Sequence, residues 1–271
     1  MSTSRKTEVA DRLRKDLSQG RYGPGQRLPG EDEVARDLGV SKATARLGMR
    51  ILQEEGRLQI VAGRGAFASD HRPAPHLATP GPAGTDSERF TDGYRKHVHH
   101  AGYGPVEEQT KVGLDTLRPR IAKRLYGTGD GDAGPGGLVV VRSSRRYVQG
   151  TLWQTQTTWL PYDIARDTPL MAPEHIDRGL DVVLAEHGHR ESRHWDVVGA
   201  RMPGPEEVQD YDVGPGIPLL VQERVGSTDE RTVRWTETVM PAHRHQLLYS
   251  GGEETPDDLV DRACRINVFD A

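Results

Sequence analysis

Between Ser69 and Gly84 the chain reads Ser-Asp-His-Arg-Pro-Ala-Pro-His-Leu-Ala-Thr-Pro-Gly-Pro-Ala-Gly, with prolines at 73, 75, 80 and 82. Proline removes a backbone donor and favours extended conformations, so no continuous helix or central strand is expected to run through this stretch. It divides the 271 residues into parts, which agrees with roughly 100–200 residues per domain. The division predicts one module at 1–70, a semi-stiff linker at 71–87, a second module at 88–250 and a C-terminal extension at 251–271. Charge changes across the same point. The net charge is +3 up to residue 70 and -7 beyond it, against -4 for the whole chain. Such asymmetry points to a nucleic-acid surface on the first module, which the average conceals. No run of about 18 apolar residues could span a membrane. The start lacks the apolar core of a secretory signal. Cys264, the single cysteine, has no internal disulfide or Cys-rich zinc partner. A cytoplasmic protein without membrane association is expected.

Three short helices are legible in the first module. Val9, Ala10, Leu13 and Leu17 recur at helical spacing until Gly20. After the turn Gly23-Pro-Gly-Gln-Arg-Leu-Pro29, Glu31 to Leu38 forms a second helix with Val34, Ala35 and Leu38 inward, stopped by Gly39. Ser41 is the expected N-cap of a third, its hydroxyl accepting a freed backbone N–H. Leu47, Gly48 and Ile51 share one side of that helix with Thr44 between them, and Lys42, Arg46 and Arg50 share the other. A helix, a tight turn and a second helix with a basic outer face are helix-turn-helix geometry, which places the second helix in the major groove. Arg57-Leu-Gln-Ile-Val61, the turn Gly63-Arg-Gly65 and Ala66-Phe-Ala68 complete a small β-hairpin wing.

These residues resemble the winged helix-turn-helix of GntR-type bacterial regulators over positions 5–69. The resemblance rests on Gly25-Gln-Arg-Leu-Pro29, Glu33-Val-Ala35, Gly39-Val-Ser41, Thr44-Ala-Arg46, Leu52-Gln-Glu-Glu-Gly56 and Gly63-Arg-Gly65, in order and at the right spacing. It implies that Ser41, Lys42 and Arg46 face phosphates and base edges. Arg46 is the favoured base reader, since a guanidinium can bond guanine bidentately. Thr44 either touches phosphate or packs back on its own helix. Lys42 and Arg50 are expected to hold phosphates, which position without specifying sequence. Gly63 and Gly65 frame the wing turn, and Arg64 suits the negative potential of a minor groove. Two positions depart from the family's pattern. Gly30 replaces a small hydroxyl residue, so the second helix is expected to lose its usual cap. Asp32 stands where many members have an arginine; its carboxylate could accept from cytosine N4 but is expected to be solvated. A solvated charged face is the alternative reading of the Lys42, Arg46 and Arg50 set.

The second module reads as α+β. A helix is expected from Phe90-Thr-Asp-Gly-Tyr94, with Thr91 as N-cap, to near Gly102. Strands are expected at 108–114, 138–148, 152–160, 194–202, 217–225 and 232–240, with turns at Gln149-Gly150 and Ser227-Thr-Asp-Glu230. Short helices are expected at 119–125, 176–186 and 205–211. Hairpins with helices between them argue for an antiparallel sheet with helices on one face.

This module resembles the UTRA effector-binding domain of the HutC subfamily of GntR regulators. The resemblance rests on Arg89-Phe-Thr-Asp92, Gly102-Tyr-Gly-Pro105, Arg146 before the Gln149-Gly150 turn, Trp159-Leu-Pro161, Pro218-Leu-Leu220 and Trp235-Thr-Glu237. It implies a chorismate-lyase-like fold that binds small metabolites between sheet and helices. The helix opening at Phe90 and Thr91 would offer unpaired N–H groups to an anion, opposed by Arg146 and the adjacent Arg145. Ser144 stands where sugar-phosphate binders carry a further arginine, which leaves monoanionic or neutral effectors open. Gln156 replaces the usual glutamate of the partner strand. Glu223, Arg234 and Glu237 complete the candidate effector-binding set, with paired charges on strand faces as the alternative for Glu223 and Arg234.

Neither a metal nor a cofactor is implied. His97, His99 and His100 lack a third ligand at motif spacing. The stretch Gly127-Thr-Gly-Asp-Gly-Asp-Ala-Gly134 is neither a phosphate loop nor an EF-hand and is expected to be a flexible loop. His187, His189 and His194 near Ser192 and Asp196 do not make a hydrolase triad by clustering alone. The expected function is a ligand-responsive, homodimeric transcriptional repressor. It would bind a palindromic double-stranded DNA operator and be released by a small-molecule effector. The alternative is a chorismate-lyase-like enzyme fused to a DNA-binding module, since fold does not fix function.

Overall fold

A computed structural model describes residues 4–23, 25–61, 63–69, 74–78, 94–99, 101–127, 137–174, 176, 179–214, 216–249 and 262. The chain divides into two compact units. One holds the described residues of Met1–Arg72 and Met202–Pro218, the other those of Pro73–Arg201 and Leu219–Ile266. The C-terminal extension lies, but for residue 262, outside the described residues.

The first unit is built on α1 (Arg5–Ser18), α2 (Glu31–Leu38) and α3 (Lys42–Glu54), followed by a hairpin of β1 (Leu58–Val61) and β2 (Gly65–Ala68). Val9, Leu13, Leu28, Val34, Met49, Leu52 and Leu58 form its buried core. The inward face of α3 differs from the sequence expectation. Leu47 is 45 % exposed, whereas Gly48 is buried and Ile51 packs against the core as expected, joined by Ala45, Met49 and Leu52. Contact with α1 sets that rotation. A Cβ on Gly48 would lie 2.5 Å from Cγ1 of Val9, so only glycine lets the two helices approach this closely. The segment read as a turn before α2 pairs with the wing: Gly25 N donates to Ala68 O (3.0 Å), Leu28 N to Ala66 O (2.8 Å) and Ala68 N to Gln26 O (2.8 Å).

Residues 202–218 were expected in the effector module but group with this first unit. They carry α8 (Pro205–Asp210), whose start is capped by Glu207 accepting from Gly204 N at 2.9 Å. Beyond it, Gly214 and Gly216 run against the last turn of α3. A Cβ on Gly216 would meet Glu54 O at 2.9 Å. The glycines let one backbone lie against the carboxyl end of the other.

The second unit centres on a six-stranded antiparallel sheet in the order β4-β5-β6-β9-β8-β7. The strands are β4 (Val106–Thr116), β5 (Leu138–Val148), β6 (Thr151–Pro161), β7 (Arg193–Arg201), β8 (Leu219–Ser227) and β9 (Thr232–Pro241). Helices cover both faces, not one. Ile121 and Leu125 of α5 (Pro119–Tyr126) pack with Val139, Trp159, Val225 and Trp235. On the other side, Ile164 of α6 (Tyr162–Ala165) and Val183 and Leu184 of α7 (Leu180–Glu186) pack with Val140 and Leu160. Neighbours along a strand point to opposite faces, so the apolar run Leu138-Val-Val-Val141 presents hydrocarbon to both. The expected helix from 176 begins only at Leu180, because its N-cap Gly179 sits at φ 85°. One further helical turn, α4, spans residues 94–99. Part of the proline-rich stretch forms a strand. β3 (Ala74–Leu77) pairs in parallel with β10 (His245–Leu248), and Ala78 N donates to Leu248 O at 2.7 Å. A two-stranded ribbon leaves each strand an unpaired edge, which is where a strand tolerates a proline such as Pro75.

Candidate functional site

At the recognition helix, Ser41 caps α3 as its sequence requires: Thr44 N donates to Ser41 Oγ at 3.2 Å. The two hydroxyls also lie 2.8 Å apart, so Thr44 turns back on its own helix. Lys42, Arg46 and Arg50 are exposed along α3, and Arg64 is exposed at the wing tip. Gly63 and Gly65 flank that tip with φ of 74° and 113°, values that suit glycine. A Cβ on Gly65 would lie 3.1 Å from Nε of Arg27, so the second glycine also makes room for a guanidinium under the wing.

Two of the three α3 cations are not left to solvent. Arg46 Nε lies 2.9 and 3.0 Å from the two carboxylate oxygens of Glu31, and its Nη2 lies 2.9 Å from Oε2. Lys42 Nζ donates to Asp32 Oδ2 at 2.8 Å, so Asp32 is paired where the sequence left it to water. Hydrogen bonds from Arg46 hold the Glu31 carboxyl below its usual range. The expected loss of a side-chain cap at Gly30 is what the structure shows. Glu33 reaches back to accept from Gly30 N at 2.8 Å, one half of a capping box that needs no side chain at the cap itself.

The candidate effector residues do not form one site. Phe90 and Thr91 lie outside the described residues. The rest separate by face, because directly opposed residues of an antiparallel sheet share a face and successive ones alternate. Glu108, Arg146 and Gln154 stand in register across three strands, with Ser144, Gln156 and Thr238 one step along on the same face. Arg146 Nε donates to Glu108 Oε2 (3.2 Å), its Nη1 to Gln154 Oε1, and its Nη2 to Gln156 Oε1 (3.1 Å). Gln156 Nε2 then donates to Thr238 Oγ1 at 3.2 Å. From α4, the Tyr94 ring stands 5.6 Å from the Arg146 guanidinium carbon, and Arg95 reaches Glu108 at 3.7 Å. Glu108, Gln154, Tyr94, Arg95 and Thr238 were missed. The Gln154-Thr-Gln156 alternation was a visible signal; the acid opposite Arg146 needed the register.

Arg145, Glu223 and Glu237 belong to the opposite face. Arg145 donates to the Tyr147 hydroxyl at 3.0 Å. Glu223 accepts from Arg120 (3.0 Å) and Arg124 (2.7 Å) of α5, and Glu237 from Arg120. Burial raises the Glu223 carboxyl, but hydrogen bonds from Arg124 and Arg120 outweigh it and leave it below its ordinary value. Both acids therefore fasten α5 beside Trp235, which stacks on Trp159 at 4.0 Å. Arg234 shares the face of Arg146 but lies four residues from Thr238 along β9, and Glu191 holds its guanidinium. The Ser192, His187 and Asp196 cluster likewise disperses: Ser192 donates to Asp229, His187 Nδ1 contacts Val183 O, and Asp196 accepts from Gln222 and Arg224.

Comparison with known proteins gives both modules a relationship. Residues 5–68 match the profile of bacterial regulatory proteins of the gntR family, and residues 131–246 match the UTRA domain. The HTH-type transcriptional regulator RB1450 of Rhizobium meliloti is 38% identical over 252 residues, 89% of this chain and 92% of that protein. The mannosyl-D-glycerate transport/metabolism system repressor MngR of Escherichia coli is 34% identical over 65 residues, spanning 24% of this chain and only 27% of its own length. A crystal structure of a GntR-family transcriptional regulator has the same fold over 93% of this chain and 99% of that one, at a TM-score of 0.59 and 22% identity. With a helix-turn-helix and wing on one unit and a polar sheet face on the other, the chain belongs to the GntR family, a transcriptional regulator joining a helix-turn-helix domain to a UTRA effector-binding domain.

Proposed function

We propose that this regulator is a homodimeric cytoplasmic repressor that binds a palindromic operator and leaves it when a small molecule occupies the UTRA domain. The observation that carries the reading is the coexistence of exposed Arg46, Arg50 and Arg64 on a winged helix with a polar face around Arg146 on a separate unit. Major-groove contacts fall to Arg46, while Lys42, Arg50 and the Ser41 hydroxyl serve phosphates. Arg64 between Gly63 and Gly65 enters the minor groove. Two-fold symmetry of the protein matches two half-sites about one helical turn apart. Release is linkage: an effector that prefers the DNA-incompetent arrangement weakens operator binding, typically by about 1–3 kcal/mol.

The effector face supports a class of ligand. Arg146 already faces Glu108, whose side chain is 6 % exposed, so the pair brings little net positive charge to an incoming molecule. Gln154 and Gln156, which accept from Arg146, and Thr238, which accepts from Gln156, keep the rest of this lining neutral. A neutral or singly charged polar metabolite fits this lining better than a dianionic phosphate ester. Footprinting on the DNA upstream of the protein's own gene, repeated with metabolites that raise its melting temperature, tests the reading. Protection of a two-fold symmetric site, lost on adding a stabilising metabolite, is expected. Absence of any protected site, or stabilisers that leave protection untouched, overturns it.

A further inference from the structure

The two acids that face the recognition helix have no large stabilising role there. In the Lys42–Asp32 pair the side chains are 52 % and 71 % exposed, and Arg46 is 63 % exposed beside a Glu31 that is 30 % exposed. Exposed pairs of this kind contribute roughly 0–1 kcal/mol to folding. The amino end of α2 is capped by Glu33, not by Glu31 or Asp32. The pairs act on the charge and the orientation of the surface that meets DNA.

The geometry of the Arg46 pair is specific. Glu31 occupies the side of the guanidinium, taking Nε–H and one hydrogen of Nη2. A guanidinium has five N–H donors in a fixed fork. The side-on carboxylate leaves the outer hydrogens of Nη1 and Nη2 free, and these two form the end-on fork that spans O6 and N7 of a guanine. Glu31 thus biases the side chain toward a pose whose free donors point away from its own protein partner. Asp32 acts differently. Lysine is a point charge with no directional code, and Asp32 cancels much of that charge in the free protein. Non-specific binding rises with the number of cations offered to phosphate, so a cancelled Lys42 weakens attraction to any sequence.

We infer that Glu31 and Asp32 form a specificity device at the recognition helix, Glu31 positioning Arg46 to read a guanine and Asp32 lowering the attraction of Lys42 for non-specific DNA. The inference rests on the proposed entry of α3 into the major groove. Its test is fluorescence anisotropy with the full-length protein, across a salt series, on two duplexes of equal length. One duplex is selected by the wild-type protein from a random pool, and the other is a scrambled sequence of the same composition. Arg46→Ala losing about tenfold or more on the selected duplex supports the groove reading; no loss ends that reading and the Glu31 assignment with it, independently of Asp32.

Asp32→Asn is expected to tighten binding to the scrambled duplex several-fold and to steepen its salt slope by up to about one. Asp32→Asn with Lys42→Gln is expected to return both to the wild-type value or below. For Glu31, the selected duplex is remade with 7-deazaguanine, which lacks the N7 acceptor, at each guanine in turn. Wild type is expected to lose about tenfold at one position, Glu31→Gln to lose little there, and Glu31→Asp to keep part of the penalty. A scrambled-duplex affinity and slope unmoved by Asp32→Asn, or a 7-deazaguanine penalty undiminished in Glu31→Gln, overturns the corresponding half. Unchanged melting temperatures identify these as surface effects.

Discussion

The arginine–carboxylate pairs of the two units look alike chemically and differ in what they cost to break. On α3, Arg46 and Lys42 meet Glu31 and Asp32 in the open. In the sheet unit, the Arg146–Glu108, Arg224–Asp196 and Arg234–Glu191 side chains are each 15 % exposed or less. Water and salt screen the first kind, so a phosphate can take the place of Asp32 beside Lys42, and a base can meet the open end of Arg46, at little cost. Losing one member of the second kind strands a desolvated charge. Exposed pairs are therefore exchangeable and suit a surface that must recognise DNA. Buried pairs are fixtures that hold strands and helices in register.

The most forceful way to break this contrast is Arg234→Met, which leaves Glu191 buried without its partner. We expect a loss of about 3–5 kcal/mol in urea unfolding. All four tryptophans, 153, 159, 195 and 235, belong to the sheet unit, so their fluorescence follows it selectively. Adding Glu191→Gln should recover much of the loss. A single-variant loss below about 1 kcal/mol would place this pair with the exposed class of α3.

Arg46→Ala combined with Arg64→Ala should weaken operator binding by about 1–3 kcal/mol per lost base contact while leaving tryptophan-detected unfolding unchanged. Undiminished binding would show that these side chains do not read the DNA. Gly48→Ala should cost the α1–α3 packing about 1–3 kcal/mol as Val9 is displaced, offset by up to about 1 kcal/mol of helix propensity. Circular dichroism would follow that change, and a stabilised protein would show the two helices are free to separate.

Acidification gives a graded test. Glu223 titrates below its ordinary value in the folded sheet. Its contribution is therefore complete above the unfolded carboxyl value of about 4.3 and is lost as pH falls through the lower folded value. Wild type and Glu223→Gln should differ most near neutrality and converge at pH values below about 4. A constant difference across that range would mean that packing of α5, not the charge of Glu223, sets it. At the small end, Arg14→Ala removes the partly exposed contacts to Asp11 and Glu55 and should change stability by no more than about 1 kcal/mol. A larger change, read by circular dichroism, would blur the distinction between the two classes.

How legible each feature was depends on the range of the interaction behind it. The helices of the first unit and the Ser41 cap follow from neighbours three or four residues apart, so periodicity sufficed. The hairpin strands of the sheet likewise follow from alternation and local turns. Periodicity groups Leu47 with Gly48 and Ile51 because a helical stripe has no absolute origin; Val9 against Gly48 supplies it. The candidate effector set mixed two faces because an isolated strand does not say which side carries the ligand. Once β4, β5 and β6 are in register, Arg146 and Gln156 fall together and Arg145 falls away.

By itself the sequence determined two modules, a winged helix with an arginine-bearing face, and an antiparallel sheet reached through hairpins. These are consequences of local patterning, capping and turn chemistry, which act over a few residues. Tertiary structure alone decided that residues 74–77 pair with 245–248, that 202–218 joins the DNA-binding unit, and that helices cover both sheet faces. It also decided which acid meets which arginine. The physical reason is the same throughout: pairing between distant segments depends on which surfaces exclude water together, and no stretch of chain carries that information alone.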